Sequence, residues 1–146
     1  MKRLVPLLIL CLAPTFTLSN TIGSIQSVAV RGQVICESTP AANVTISLND
    51  ENVISITFMA NVTTGSNGEF ELNGTATEIS NIDPCLYIHH RCLKTTDCYH
   101  ELKVDIPDEY ITKGEVPEKV FDLGVIQLAA RYNNYIQKYT HNYYCL

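Results

Sequence analysis

From Gln26 onward the chain alternates apolar and polar residues with a period of two, and this constrains its fold more than any other feature. In "SVAVRGQVIC", Val28, Val30, Val34 and Cys36 share one face, while Ser27, Arg31 and Gln33 share the other. Side chains alternate across a strand, so this is the signature of a half-buried β-strand. "VTISLND" repeats it, with Val44, Ile46 and Leu48 set against Thr45, Ser47 and Asn49. A third strand is expected within Ile54 to Thr63, with its start obscured because "NDENVIS" also reads as loop. Asn67-Gly68 predicts a type I′ hairpin turn into "EFEL", since that dipeptide tolerates positive φ at both central positions. "CLYIHHRC", "YHELKVDI" and "VFDLGVIQLAA" supply further strands, and Pro107 stops the second of these. Six or seven short strands at this spacing, with no long helical pattern, predict an all-β antiparallel sandwich.

The first residues predict the compartment. Lys2 and Arg3 precede an apolar run from Leu4 to Leu12, and Thr17 and Ser19 place small residues before Asn20. This is the pattern of a secretory signal peptide over residues 1–19. The run falls short of the roughly 20 apolar residues that a transmembrane helix needs. The expected organisation is then a β-sandwich over 20–130 and a Tyr-rich tail over 131–146, held by Cys145. In the tail, Tyr132, Tyr135, Ile136, Tyr139 and Tyr143 fit either a helical stripe or an extended segment. Loss of Lys2 and Arg3 takes the formal charge from −5 to about −7. An acidic chain without basic clusters is poorly suited to nucleic acid or to anionic lipid headgroups. A secreted, extracellular protein also meets an oxidising environment, in which cysteines pair. Three N-x-[ST] sequons, at Asn43, Asn61 and Asn73, are candidate N-glycosylation sites on its surface.

"CLYIHHRC" presents cysteine and histidine together, with Cys98 and His100 close behind, and so resembles a row of zinc ligands. Strand geometry argues against that. Cys85, Tyr87, His89 and Arg91 share one face; Leu86, Ile88, His90 and Cys92 share the other, more apolar one. Cys85 and His89 are about 13 Å apart along a regular strand, far beyond what one ion spans. His90 and Cys92 are about 6.6 Å apart and would need two more ligands from other strands. No metal and no cofactor is therefore expected. Nor does the spacing support a Ser–His–Asp or Cys–His catalytic pair. "GSNG" lacks the lysine and following helix of a phosphate loop. His89 is expected on the exposed face, and His90 inside with a hydrogen-bond partner. Cys85 falls on the outer face as the odd cysteine. It reads as a partly covered free thiol or, alternatively, as the link in a disulfide-bonded homodimer.

The segments "SVAVRGQVIC", "GSNGEFELNGTATEISNIDPCLYIHHRC", "VDIPDEYITKG" and "FDLGVIQLA", in that order, resemble the nematode transthyretin-like family of secreted proteins. The resemblance implies a prealbumin-like Greek-key β-sandwich of seven to eight strands and an extracellular life. It also implies two disulfides, Cys36–Cys92 and Cys98–Cys145. Four cysteines permit three pairings, and the chief rival is Cys92–Cys98 with Cys36–Cys145. About function the resemblance implies little. Transthyretin carries thyroid hormone in a channel between subunits, but no motif here places those channel residues. The hydroxyisourate hydrolases of the same fold end in Tyr-Arg-Gly-Ser, whereas this chain ends in "HNYYCL". The reading that follows is a non-catalytic extracellular domain that binds a protein or cell-surface component. The alternative is an oligomeric carrier of a small hydrophobic ligand.

Overall fold

A computed structural model describes residues 22–93, 98–130 and, as backbone, 139–144. Two β-sheets face each other across an apolar core. Their strands are β1 (Ser24–Cys36), β2 (Thr39–Pro40), β3 (Thr45–Glu51), β4 (Ile56–Thr63), β5 (Glu69–Glu78), β6 (Pro84–His90), β7 (Tyr99–Asp105), β8 (Thr112–Lys113), β9 (Val120–Gln127) and β10 (Tyr139–Tyr144). A single 3-10 turn over Asp108–Tyr110 is the only helical element among the described residues. One sheet is built on β1, which pairs with β2, β5, β8 and β9; the other runs β10-β7-β6-β3-β4.

The alternation seen in the sequence becomes the core. Val28, Val30 and Val34 of the first sheet are fully buried, as are Ile46, Leu48, Leu86, Ile88 and Val104 of the second. They belong to one apolar cluster, as expected when two sheets stack about 10 Å apart. β1 departs from the simple inside–outside pattern. Ser27 belongs to its polar face, yet it is buried, as is Gln26. The reason is position: β1 is central, with β5 along one side and β8 and β9 along the other, and Ser27 lies opposite the buried Thr112. The Gln26 side chain satisfies its amide by donating to the Ser80 carbonyl at 2.7 Å and accepting from the Ile82 N–H at 3.3 Å. This ties the start of β1 to the loop before β6.

Two further expectations are corrected. The β1–β9 pairing is parallel, with a register shift between Arg31 and Gln33, so the first sheet is mixed. And Asn67-Gly68 does not join two strands of one sheet: β4 belongs to the second sheet and β5 to the first. The turn spans Gly65 to Gly68, closed by a Gly68 N–H to Gly65 carbonyl bond of 3.1 Å. Only Gly68 has positive φ, at +69°. A type I′ turn would set the twist of a hairpin, whereas this connection has to carry the chain across the sandwich. The tail residues 139–144 are extended, not helical, and pair antiparallel with β7.

Candidate functional site

β6 divides the "CLYIHHRC" residues between two environments. On its inner face Leu86 and Ile88 are buried in the core, and His90 is 4% exposed. Cys92, just past the strand, is disulfide-bonded to Cys36, with a Cα–Cα distance of 5.6 Å. The rival pairing of Cys92 with Cys98 is thereby corrected. Cys36 ends β1 in one sheet and Cys92 follows β6 in the other, so the bond staples the two sheets. Cys98 is also disulfide-bonded, while Cys145, the partner expected for it, lies outside the described residues. With Cys92 oxidised, the thiolate that a zinc site would need is gone. No group of three or more His, Cys, Asp or Glu able to hold a metal occurs among the described residues.

The outer face of β6 carries a polar network centred on Glu51, the last residue of β3. Its carboxylate accepts a hydrogen bond from the Tyr87 hydroxyl and one from the Cys85 thiol at 3.4 Å. Lys103 of β7 pairs with the same carboxylate at 2.8 Å and with Asp105 at 3.3 Å. The Lys103 ammonium, then the Tyr87 hydroxyl, hold the Glu51 carboxyl below its ordinary value despite partial burial. Burial, reinforced by the neighbouring Glu51 carboxylate, pushes the Tyr87 hydroxyl up in turn.

Cys85 is a free thiol, but its place on the outer face does not expose it: it is 1% accessible. Burial, then its hydrogen bond to Glu51, push the thiol up to about 12. Both effects disfavour the thiolate, the nucleophilic form. A second copy would reach this sulfur only after local opening, so burial disfavours a disulfide-linked homodimer through Cys85. Iodoacetamide at neutral pH is expected to leave Cys85 unmodified in the native protein and to label it once guanidinium unfolds the chain. Labelling of the native protein at the rate of a free thiol would contradict this burial. The same two groups predict the pH limits of stability. Glu51 has a lowered folded value, so its contribution is present above its ordinary 4.5 and fades as pH falls below it. Cys85 has a raised folded value, so its contribution is full below the ordinary 9.0 and is lost as pH rises toward about 12. Urea titrations across pH should show both limbs, with Glu51→Gln flattening the acid one.

The histidines lie at the other end of β6. His89 is half-buried, with Nε2 2.8 Å from the Glu101 carboxylate and its ring edge-on to Tyr99 at 5.4 Å. It is thus less open than the sequence implied. His90 stacks on His100 at 5.1 Å, and its Nδ1 accepts from the Cys92 backbone N–H at 3.3 Å. Beside this pair lies a cleft of about 590 Å³, floored by Val44, Leu128 and the Cys36–Cys92 pair and edged by His89 and Tyr99. Asn43, exposed and with φ of +58°, stands at its rim. Asn61 on β4 and Asn73 on β5 are exposed as well.

A different set of residues lies at the opposite end of the sandwich, around the β3–β4 turn. Asn52 accepts the backbone N–H groups of Ile54 and Ser55 on its side-chain oxygen at 3.2 and 3.0 Å. Such Asx turns fix a loop without any packing of its apolar residues. Val53 and Ile54 are accordingly left in full contact with solvent. Ile56 and Phe58, at the start of the edge strand β4, are each more than half exposed. The Asn52 amide reaches the Glu78 carboxylate at 3.5 Å, which places the exposed Ile79 on the same end. Ser24 pairs with Glu78, so the exposed Ile22 joins them.

Sequence comparison agrees with this architecture. The profile of the transthyretin-like family matches residues 31–107. The chain is 38% identical to Transthyretin-like protein 5 of Caenorhabditis elegans over 130 residues, covering 86% of this chain and 91% of that one. The chain belongs to the transthyretin-like family. Transthyretin-like protein 2 of the same nematode is 35% identical over 131 residues, covering 84% of this chain and 88% of that one. Transthyretin-like protein 1 is 37% identical over 131 residues, covering 84% of each. Among solved structures, a 9R-lipoxygenase from Cyanothece aligns at a TM-score of 0.40 and 18% identity, over 70% of this chain and 16% of that one, and nothing about function follows from it.

The family names carry no activity, so the functional reading of this transthyretin-like chain rests on its own surface. The residues that sequence reasoning missed are Ile22, Val53, Ile54 and Ile79. One signal was available: "NVI" follows Asn-Asp-Glu directly, an apolar pair in a stretch that otherwise reads as turn. Alternation alone could not separate a buried strand start from an exposed tip. No helix among the described residues is long and apolar enough to cross a membrane.

Proposed function

We propose that this chain is a secreted, non-catalytic extracellular domain that binds a protein or cell-surface component. In this reading residues 1–19 are removed as a signal peptide, 20–130 form the binding domain and 131–146 a tail held by Cys145. Asn43, Asn61 and Asn73 carry glycans, to which their exposure gives access. The observation that carries the reading is the fully exposed Val53–Ile54 pair, held outward by Asn52. Contiguous apolar surface on a soluble domain is costly to keep in water and marks interaction sites. The raised Cys85 thiol and the hydrogen-bonded Tyr87 support the non-catalytic part, since neither is poised to react.

Affinity purification of the secreted protein from its native extracellular fluid, with surface cross-linking, tests the reading. A reproducible partner cross-linked to this domain is expected. Recovery of no partner beside reproducible turnover of a small molecule would sink it. The cleft beside His89 favours a second reading, a carrier of a small hydrophobic ligand. An apolar floor with polar groups along the edge is the usual make-up of a ligand pocket. Native mass spectrometry of the secreted protein should then show a co-purifying small molecule.

A further inference from the structure

We propose that the apolar end of the sandwich docks into an apolar recess rimmed by lysine and arginine on a partner protein. This deepens the binding reading above and rests on it. The centre of the surface is Ile22, Val53, Ile54 and Ile79, with Ile56 and Phe58 continuing it along β4. These residues come from three separate segments: the entry to β1, the β3–β4 turn and the β5–β6 loop. The Ser24–Glu78 pairing and the Asn52–Glu78 contact bring these segments to one end, and the Asx turn at Asn52 holds Val53-Ile54 in place, which lowers the ordering cost of binding there.

Charge decides the partner. Glu78, the last residue of β5, and Asp83, in the β5–β6 connection, lie on either side of Ile79 in the chain, and Glu51 donates its N–H to the Asp83 carbonyl at 3.0 Å. The Ile106 N–H bonds the Pro84 carbonyl at 2.9 Å, which brings the exposed Asp108 and Glu109 to this end. Gly114 donates to the Ile25 carbonyl at 2.8 Å, and Glu115 follows. Against these stand Lys103, held by Glu51 and Asp105, Lys113, opposite Gln26, and Lys119, whose ammonium is engaged by the Glu109 carbonyl at 2.9 Å. Among the described residues the frame around the apolar tips is therefore acidic. Like charges facing one another disfavour a second copy in the same orientation and an anionic bilayer alike. A cationic rim around an apolar recess is the complementary surface: burial of the tips supplies affinity, and the rim supplies orientation and on-rate.

The test uses a phage-displayed random peptide library, selected on the mature protein and, in parallel, on a Val53→Ser/Ile54→Ser/Ile79→Ser variant. All three side chains are at least 80% exposed, so the variant should keep its melting temperature. Peptides enriched on the parent should combine branched or aromatic residues with Lys or Arg. They should bind the variant at least tenfold more weakly and lose affinity as salt rises. Asp83→Asn/Asp108→Asn should slow their association severalfold. Peptides that are acidic, or that bind parent and variant equally, overturn the proposal, as does a failure to enrich any over the variant. Equal binding by both proteins would leave the general binding reading intact and remove this end from it. Two controls name the other occupants. Phosphatidylserine vesicles bound by the parent but not the variant would assign the end to a membrane. A variant-sensitive dimer in sedimentation would assign it to a second copy.

Discussion

Replacing Cys36 and Cys92 together by alanine should lower the unfolding free energy by about 2–5 kcal/mol, the range for loss of a native disulfide from a small domain. The bond closes a span of 56 residues. In the chain-entropy account a loop of that size restricts the unfolded ensemble by about 4 kcal/mol. For a domain of this size the melting temperature should drop by roughly 10–20 °C. The double substitution is the right comparison, because a single one leaves an unpaired thiol beside the core. The bond also joins the two sheets at the end where the cleft lies, and Cys36 and Cys92 both line that cleft. Equilibrium urea unfolding of the two proteins checks the value. A loss below 1 kcal/mol would mean that the remaining contacts between β1 and β6 already fix the sheets.

Ile88→Ala should cost about 2–5 kcal/mol, the range for deleting a large aliphatic side chain from a packed interior. Ile88 is fully buried at the centre of the second sheet, opposite Ile46 of β3 and Leu102 of β7. Both neighbours are held by backbone ladders, so the cavity has little freedom to collapse, and the upper half of the range is expected. Ile54→Ala supplies the contrast. The same residue type at 95% exposure should change stability by no more than about 0.5 kcal/mol. Denaturant titration of the two variants separates core from tip. Equal losses would mean that Ile54 is covered in solution, which would also remove it from the proposed docking surface.

How much was legible in the sequence follows from which forces act locally. Alternation fixed the inward residues of β3 and β6, Ile46, Leu48, Leu86 and Ile88, since a one-residue slip would turn Ile46 or Ile88 into water. It also put Cys85 and Cys92 on opposite faces of β6, which argues against one ion holding the whole row. It failed at Ser27 and at Cys85, and the turn chemistry read from Asn67-Gly68 failed as well, each for the same kind of reason. Whether a polar-face residue is exposed depends on what lies beside and above its strand. Ser27 is buried because β1 is central, and Cys85 because of its surroundings on the outer face, Glu51 among them. The turn at Gly68 is shaped by where β5 must go, not by the dipeptide alone.

By itself, then, the sequence determined the class of fold, the inward set of β1, β3 and β6, and the chemistry on offer: sequons, cysteines and an acidic charge. These depend on a strand's period of two and on composition, both of which are local. The tertiary structure alone decided which sheet each strand joins and that the Cys85 thiol is closed off. It also decided that Ile22, Val53, Ile54 and Ile79, spread over nearly 60 residues of chain, come together at one end. Those are relations between segments far apart in sequence. They are set by sheet pairing and packing across the core, which no local pattern encodes.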